Sequence, residues 1–228
     1  MKRLSNPLAL AVLALLFERP MHPYEMAATL KSRHKHESIK LRYGSLYTVI
    51  EMLMERGYIS ATETSRDGKR PERTVYTLTA AGHDELQDWM RELIGEPAKD
   101  FLQFEAGLCL LPVLPPDEAV ALLRCRAVRL AGQYAQLETQ LAHIAAQDVS
   151  AVAGPDEKLP PQLEGKKFPP IFVVECEYRL AMIKAELGFV NDLVRRIVEE
   201  GWGPVGMWRE LQASMASTAA GGGMNPRE

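Results

Sequence analysis

An apolar residue recurs at every seventh position through two separate stretches of the chain, 117–147 and 171–200. A heptad repeat of this length is typical of long helices that pack side by side along an apolar seam. A link rich in glycine and proline, 148–170, separates the two stretches and breaks the pattern. The repeat therefore predicts two long helices that pack as an antiparallel pair. The seam positions are Val120, Ala127, Tyr134 and Leu141 with Leu123, Leu130, Leu137 and Ile144 in the first helix, and Val173, Leu180, Leu187 and Val194 with Cys176, Ile183, Val190 and Ile197 in the second.

The second of these helices carries a further apolar line through Met182, Phe189 and Leu193. A helix with two apolar faces needs two partners, so we expect the pair to meet another subunit as well. A monomeric helical bundle that buries both faces internally is the alternative. The residues predicted to hold the homodimer together are Leu123, Leu130, Leu137, Ile144, Leu180, Ile183, Leu187, Val190, Val194 and Ile197.

The apolar run 7–17 follows two basic residues and so imitates a signal peptide. The run leads into Pro20 without a small-residue cleavage site, and it is too short to span a bilayer. Asn6 and Pro7 instead fit the N-cap and first position of a helix. The three cysteines are widely separated, odd in number and set among apolar residues, which favours buried thiols in a reducing compartment. We expect a buried first helix and a cytoplasmic protein.

A second helix is expected to begin near Pro23, and a third is predicted within the stretch Leu41 to Ile59. Ser45 can cap the start of the third helix, and Gly57 can close its end. Its core-facing stripe is formed by residues at i, i+3, i+4 and i+7, namely Leu46, Val49, Ile50 and Leu53. At 100° per residue, Tyr47 and Thr48 point away from this stripe. Tyr47 could alternatively pack beside the second helix.

Two segments rich in Thr, Tyr, Ile and Val, 58–64 and 73–78, flank the turn signal Asp67-Gly68. They predict a two-stranded hairpin with a basic tip, followed by a fourth helix capped by Thr79. Three helices and a basic hairpin, in this order, indicate a winged helix-turn-helix, whose third helix enters the DNA major groove. The expected fold class is therefore mainly α, with an N-terminal winged helix-turn-helix, a two-stranded β-wing and a C-terminal long-helix dimerisation domain.

The basic residues concentrate in the N-terminal part of a chain that carries a formal net charge of −3. The run from Lys31 to Arg42 contains five basic residues and one acidic residue, so a polyanion would meet a local patch. The same run could be a solvated loop, but its place just before the third helix favours phosphate contacts. The residues predicted to contact DNA are Lys40, Arg42, Tyr43, Ser45, Tyr47, Thr48, Arg66, Lys69, Arg70 and Arg73.

At these residues the chain resembles the PadR family of bacterial transcriptional regulators. The similarity lies in HPYEMAATL at 22–30, YGSLYTVIEMLMERGYI at 43–59 and GKRPERTVYTLTAAG at 68–82, within about residues 5–94. The resemblance implies a winged helix-turn-helix that binds double-stranded operator DNA. It also implies a C-terminal helical domain that places two copies on an inverted repeat, with half-sites on the order of 34 Å apart or a multiple of it. Release from DNA by a small aromatic effector is a further implication of the resemblance.

Motifs of catalysis are absent from the sequence, which contains no P-loop, GxGxxG, GxSxG or HExxH pattern. His34 and His36 bracket Lys35, but residues two apart face different directions, and no Cys or acidic pair joins them at metal-ligand spacing. We expect no catalytic residue, no metal and no cofactor. Trp89 is the candidate contact for an effector, because its ring offers flat apolar area to an aromatic ligand.

The function expected from these features is that of a sequence-specific transcriptional regulator, a ligand-responsive repressor that binds an inverted-repeat operator as a homodimer. The alternative is a winged-helix protein-interaction scaffold, which would not require the basic residues around the third helix. The predicted domains are 1–94 for DNA binding, 95–212 for dimerisation and 213–228 as a disordered tail. A membrane is not among the expected partners.

Overall fold

The computed structural model describes residues 6–40, 42–65, 73–148, 166–167, 169–199 and 205–221. Side chains are described in these ranges except at 37, 43, 63–65, 73 and 215–221. The chain divides into two compact units, an N-terminal unit that contains 1–99 and a C-terminal unit built from 100–147 and 167–228. None of the described helices is both long enough and apolar enough to cross a membrane.

The N-terminal unit has the order of elements predicted for a winged helix-turn-helix. The predicted caps at Asn6 and Thr79 are confirmed, because each side chain accepts a hydrogen bond from a backbone amide of the helix that follows. The second helix opens with a capping box formed by His22 and Glu25. The elements are α1 (Pro7–Glu18), α2 (Pro23–Ser32), α3 (Tyr43–Glu55), β1 (Ile59–Ser65), β2 (Arg73–Leu78) and α4 (Ala80–Gly95).

Helix α1 lies at the centre of the core of this unit, as its apolar sequence predicts. Seven of its 12 residues are buried, and it contacts α3, α4 and β2. The predicted stripe of α3 packs into the same core, together with Met26, Ala27 and Leu30 of α2. Burial of this apolar surface stabilises the unit and fixes which side of α3 remains exposed.

Strands β1 and β2 form the antiparallel wing, with Ile59 paired to Leu78 and a register shift between Thr62 and Thr64. Met21 pairs with Tyr76 on the other edge of β2, through backbone hydrogen bonds of 3.2 and 3.1 Å. The base of the wing is thus attached to the segment between α1 and α2. A single paired residue has no alternating pattern, so this contact could not be predicted from the sequence.

Two glycines close the connections around the wing. Gly57 has φ +72° and ends α3, with its amide bonded to the carbonyl of Met54 and the Tyr58 amide bonded to that of Leu53. Gly82 lies in the first turn of α4, where a Cβ atom would be 2.0 Å from the Tyr58 carbonyl oxygen. The Tyr58 hydroxyl donates to Glu85 at 3.1 Å, and burial, then this hydrogen bond, raises the pKa of Tyr58.

The C-terminal unit consists of long helices that pack in the predicted antiparallel arrangement. Leu123, near the start of α6, shares an apolar cluster with Ile197, near the end of α7. Leu137, later in α6, shares a second cluster with Cys176, near the start of α7. The helices are α5 (Gln103–Cys109), α6 (Pro116–Ala146), α7 (Val174–Val198) and α8 (Val205–Gly221), with 3-10 turns at Leu111–Val113 and Pro170–Val173.

The shorter helices are fixed to this pair by specific contacts. The Arg126 guanidinium of α6 pairs with Glu186 of α7 and lies 3.7 Å from the ring centroid of Phe104 in α5. The Trp208 indole of α8 donates to the Leu114 carbonyl at 2.8 Å.

The end of the chain differs from its prediction as a disordered tail over 213–228. Helix α8 continues to Gly221, so residues 213–221 are helical, whereas 222–228 lie outside the described residues. The segment has no apolar period, but it contains several alanines, which have the highest helix propensity. An already docked helix can be extended by such residues without an apolar stripe.

Candidate nucleic-acid interface

One side of α3 is buried and the other is open, as the spacing of its apolar residues predicts. Leu46, Val49, Ile50 and Leu53 are at most 4% exposed. Tyr47 is 52% exposed and Thr48 is exposed. Tyr47 therefore has half of its surface available for an external contact.

The start of α3 differs from the prediction that Ser45 caps it. The helix begins at Tyr43, so Arg42 occupies the N-cap position and Ser45 is an exposed residue within the first turn. Arg42 makes no side-chain cap hydrogen bond. The difference arises because the backbone becomes helical two residues before Ser45, at positions without a capping side chain. The amides of such a first turn point along the helix axis and favour anions.

Thr48 is placed one turn after Gly44 on the exposed side of α3. Its hydroxyl donates to the Gly44 carbonyl at 3.2 Å. A threonine hydroxyl has one hydrogen and two lone pairs, so this arrangement leaves the oxygen as an acceptor. Glu51, one turn further on, is exposed.

The basic run before α3 contains cations in different environments. Lys31, Lys40 and Arg42 are exposed. Arg33 instead forms a two-pronged pair with Glu18 of α1, with nitrogen to oxygen distances of 2.7 and 2.8 Å. Its predicted contribution to phosphate binding is therefore not supported, because its guanidinium is already engaged by a carboxylate.

Backbone between α2 and α3 turns sharply. His34 has φ 55°, in the left-handed region, and a 3-10 turn follows at Lys35–Glu37. The rings of His34 and His36 lie 6.0 Å apart. Within the described ranges, no group of three His, Cys, Asp or Glu side chains could hold a metal ion.

The predicted wing contacts Arg66, Lys69 and Arg70 lie outside the described residues. Arg73 begins β2, but its side chain, like that of Tyr43, also lies outside the described part. The pairing of β1 with β2, from Ile59 with Leu78 to Ser65 with Arg73, defines the described part of the wing.

Trp89 was predicted as an effector contact, but it is 5% exposed and packs in the core of the N-terminal unit. Its ring is therefore used for packing between elements of this unit.

The three cysteines were expected to be buried, and the structure divides them. Cys176 is buried, whereas Cys109 and Cys125 are exposed. Apolar neighbours in sequence do not bury a residue when it lies on the outer side of an amphipathic helix.

The ten residues predicted as dimer contacts all lie in the clusters between α6 and α7 of one chain. A heptad pattern shows that a helix has a partner, but it does not show whether that partner belongs to the same chain. The further apolar line of α7 is divided. Leu193 is buried, whereas Met182 is 48% and Phe189 44% exposed.

Comparisons with known proteins agree with this architecture. The Transcriptional regulator PadR-like family matches residues 12–88. Bacillus subtilis PadR in complex with operator DNA has a TM-score of 0.60 at 18% identity, covering 84% of this chain and 99% of that chain. The same protein in complex with p-coumaric acid has a TM-score of 0.60 at 18% identity, covering 84% of this chain and 96% of that one.

The Vibrio cholerae virulence activator AphA has a TM-score of 0.57 at 14% identity, covering 83% of this chain and 97% of that chain. No curated protein matches the sequence. At these identities the structural likeness establishes the fold. The matching family consists of transcriptional regulators rather than enzymes, in agreement with the expectation from the sequence. The chain therefore carries, at residues 12–88, a domain of the PadR-like transcriptional regulator family.

Proposed function

We propose that the chain is a sequence-specific DNA-binding transcriptional regulator that acts in the cytoplasm as a homodimer on an inverted-repeat operator. The observation that carries the proposal is the exposed face of α3 with Tyr47 and Thr48, together with the exposed cations Lys40 and Arg42 just before the helix. Small polar and aromatic residues can reach base edges, while cations next to them neutralise phosphates.

Thr48 is proposed to read a base. Because its hydrogen is donated to Gly44, its oxygen is suited to accept a hydrogen bond from an exocyclic amine of adenine or cytosine in the major groove. Thr48→Ala should weaken binding chiefly to the cognate operator. An equal loss on operator and unrelated duplex would contradict this base-reading role.

The phosphate contacts are assigned to both sides of α3. Lys40 and Arg42 supply charge before the helix, and Tyr43 and Ser45 belong to its first turn. The proposal places Arg66, Lys69, Arg70 and Arg73 of the wing on the DNA backbone as well. Each neutralised phosphate releases counterions, so affinity should fall steeply with salt.

Dimerisation is assigned to the C-terminal unit. Since the heptad seam is filled within one chain, the surface proposed for the second copy is the exposed apolar side of α7. Tyr178, Met182, Ala185 and Phe189 follow one another at spacings of four, three and four residues and are exposed, so they share one side of the helix. A two-fold dimer of this kind matches the symmetry of an inverted repeat.

Repression and its relief by a small aromatic effector complete the proposal. A dimer bound across a promoter excludes polymerase without any further contact. The effector is proposed from the likeness to the Bacillus subtilis PadR structure, which was obtained in complex with p-coumaric acid. Such a ligand would act by binding more tightly to a form that cannot engage the operator.

The sign of regulation is tested by deleting the gene. If the protein is a repressor, its deletion should raise expression from the target promoter. A fall in that expression would identify an activator instead.

The first test is fluorescence anisotropy of the protein on duplex from its own upstream promoter region, with scrambled duplex of equal composition as the control. We expect a preference for the native duplex of about a thousandfold, with steep salt dependence. Weak and equal binding to both duplexes and to a genome-wide pool of fragments would reject the proposal. This result would favour the protein-interaction scaffold, and pull-down experiments could then identify its partner.

A further inference from the structure

The described glycines around the wing have visible reasons within the chain. Gly57 has a positive φ, which side chains rarely adopt, and Gly82 lies where a Cβ atom would meet the Tyr58 carbonyl. Gly44, in the first turn of α3, has neither reason. Its φ is not in the positive region, and apart from its chain neighbours and the backbone of its own helix, no atom of the described residues lies within 4 Å of the position that a Cβ would occupy.

Gly44 therefore makes α3 less stable than alanine would, and no contact among the described residues offsets this loss. Glycine disfavours a helix relative to alanine, because it loses more backbone freedom on folding. Gly44 is also exposed, so a side chain at this position would enter solvent rather than the core. No contact among the described residues therefore accounts for a glycine at this position.

Position distinguishes Gly44 from the other glycines with open surroundings. Five others, Gly95, Gly107, Gly132, Gly188 and Gly206, have equally open surroundings. Gly44 differs because it lies in the first turn of α3, between the exposed Arg42 and Thr48, whose hydroxyl bonds to its carbonyl.

We propose that Gly44 is a positioning residue for DNA, whose missing side chain lets the sugar-phosphate backbone approach the main chain of α3 directly. Glycine serves this purpose wherever a backbone must come close to a ligand. A methyl group at Gly44 would hold the DNA away and shift Tyr47 and Thr48 from the base edges. This inference rests on the proposed function, since it requires that α3 faces DNA.

The substitution Gly44→Ala separates a DNA role from a structural one. The thermal unfolding midpoint should be equal to or above that of wild type, because alanine fits the space and favours the helix. The affinity for the operator should fall at least about tenfold, since the backbone contact is lost. Gly44→Leu should lower the operator affinity further, because leucine is larger than alanine. Its helix should still form, because leucine is a good helix former.

Gly132→Ala is the matched control, because Gly132 is an exposed helical glycine of α6 with the same open surroundings. It should leave operator affinity unchanged. A Gly44→Ala protein that binds as wild type, or that loses its fold, would overturn the inference while the proposed function stands. Failure of the wild-type protein to prefer any duplex would overturn both.

Discussion

Arg33 and Lys40 belong to the same basic run, yet the structure gives them different surroundings. Arg33 is held by Glu18 across two hydrogen bonds, whereas Lys40 is exposed. The first connects the ends of α1 and α2, and the second is available to a phosphate. Composition alone would count the two charges as equal.

Neutralising these residues one at a time should separate their effects. Lys40→Gln should reduce the slope of log affinity against log salt concentration by about 0.9, because one phosphate contact is lost. Arg33→Gln, its matched control, should leave that slope unchanged and lower the free energy of unfolding by up to about 1 kcal/mol. Salt titrations by anisotropy and urea unfolding measure both quantities. Equal slopes for wild type and Lys40→Gln would remove Lys40 from the interface.

Gly82→Ala tests the close approach of the Tyr58 carbonyl to the first turn of α4. The added Cβ would lie 2.0 Å from the Tyr58 carbonyl oxygen, so α4 or the start of the wing must move. We expect a loss of about 2 kcal/mol in the free energy of unfolding, measured in urea. Gly95→Ala, at the open end of the same helix, should be neutral or stabilising. A Gly82→Ala protein as stable as wild type would show that this contact relaxes freely.

At the scale of elements, periodicity predicts most of the fold. The start of α1 follows from its capping residues Asn6 and Pro7. The stripe of α3 and the antiparallel pairing of α6 with α7 follow from spacing, because core burial repeats with the helix turn. The pairing of Met21 with Tyr76 and the helical end of α8 have no such signal. They depend on contacts and local propensity that an apolar pattern does not record.

The candidate site is predicted less completely than the fold. Exposure of Tyr47 and Thr48 follows from the stripe on the opposite side of α3. The engagement of Arg33 by Glu18 does not, because the two residues are 15 positions apart and meet only when α1 and α2 pack. Trp89, predicted to contact an effector, packs in the core of the N-terminal unit. The heptad residues, predicted to form the helical pair and the dimer contacts, fill the seam between α6 and α7.

Helix α8 should depend on Trp208 for its attachment to the turn before α6. Trp208→Phe keeps most of the ring but removes the hydrogen bond to the Leu114 carbonyl. The free energy of unfolding should fall by about 1 kcal/mol, measured by circular dichroism in urea. Met207→Ala, at the exposed neighbouring position, should change it by less than about 0.5 kcal/mol. An unchanged midpoint for Trp208→Phe would show that the packing of α8 does not need this bond.

For the whole molecule, one chain supplies one α3, whereas an inverted repeat presents two half-sites. On the proposed inverted-repeat operator, two copies of α3 would therefore be joined at a fixed separation. The apolar side of α7 proposed for this contact is distinct from the seam that faces α6. Charges introduced on the two sides should therefore have different consequences.

Phe189→Glu places a charge on the proposed dimer surface. Phe189 is 44% exposed in the single chain, so its replacement should leave the helical content intact while a charge opposes burial in the interface. Sedimentation equilibrium should show monomers at concentrations where wild type is dimeric, and operator affinity should fall. Gln136→Glu, at an exposed polar position of α6, should remain dimeric. A Phe189→Glu dimer of wild-type stability would exclude this surface.

The seam between α6 and α7 is filled by residues of the same chain. Each protomer can therefore complete its helical pair before it meets a second copy, and association becomes a concentration-dependent step that follows folding. While monomers predominate, the amount of dimer rises with the square of protomer concentration, so a twofold change in synthesis gives about a fourfold change in dimer. A seam closed within one chain would thus make promoter occupancy respond more steeply to the amount of regulator in the cell.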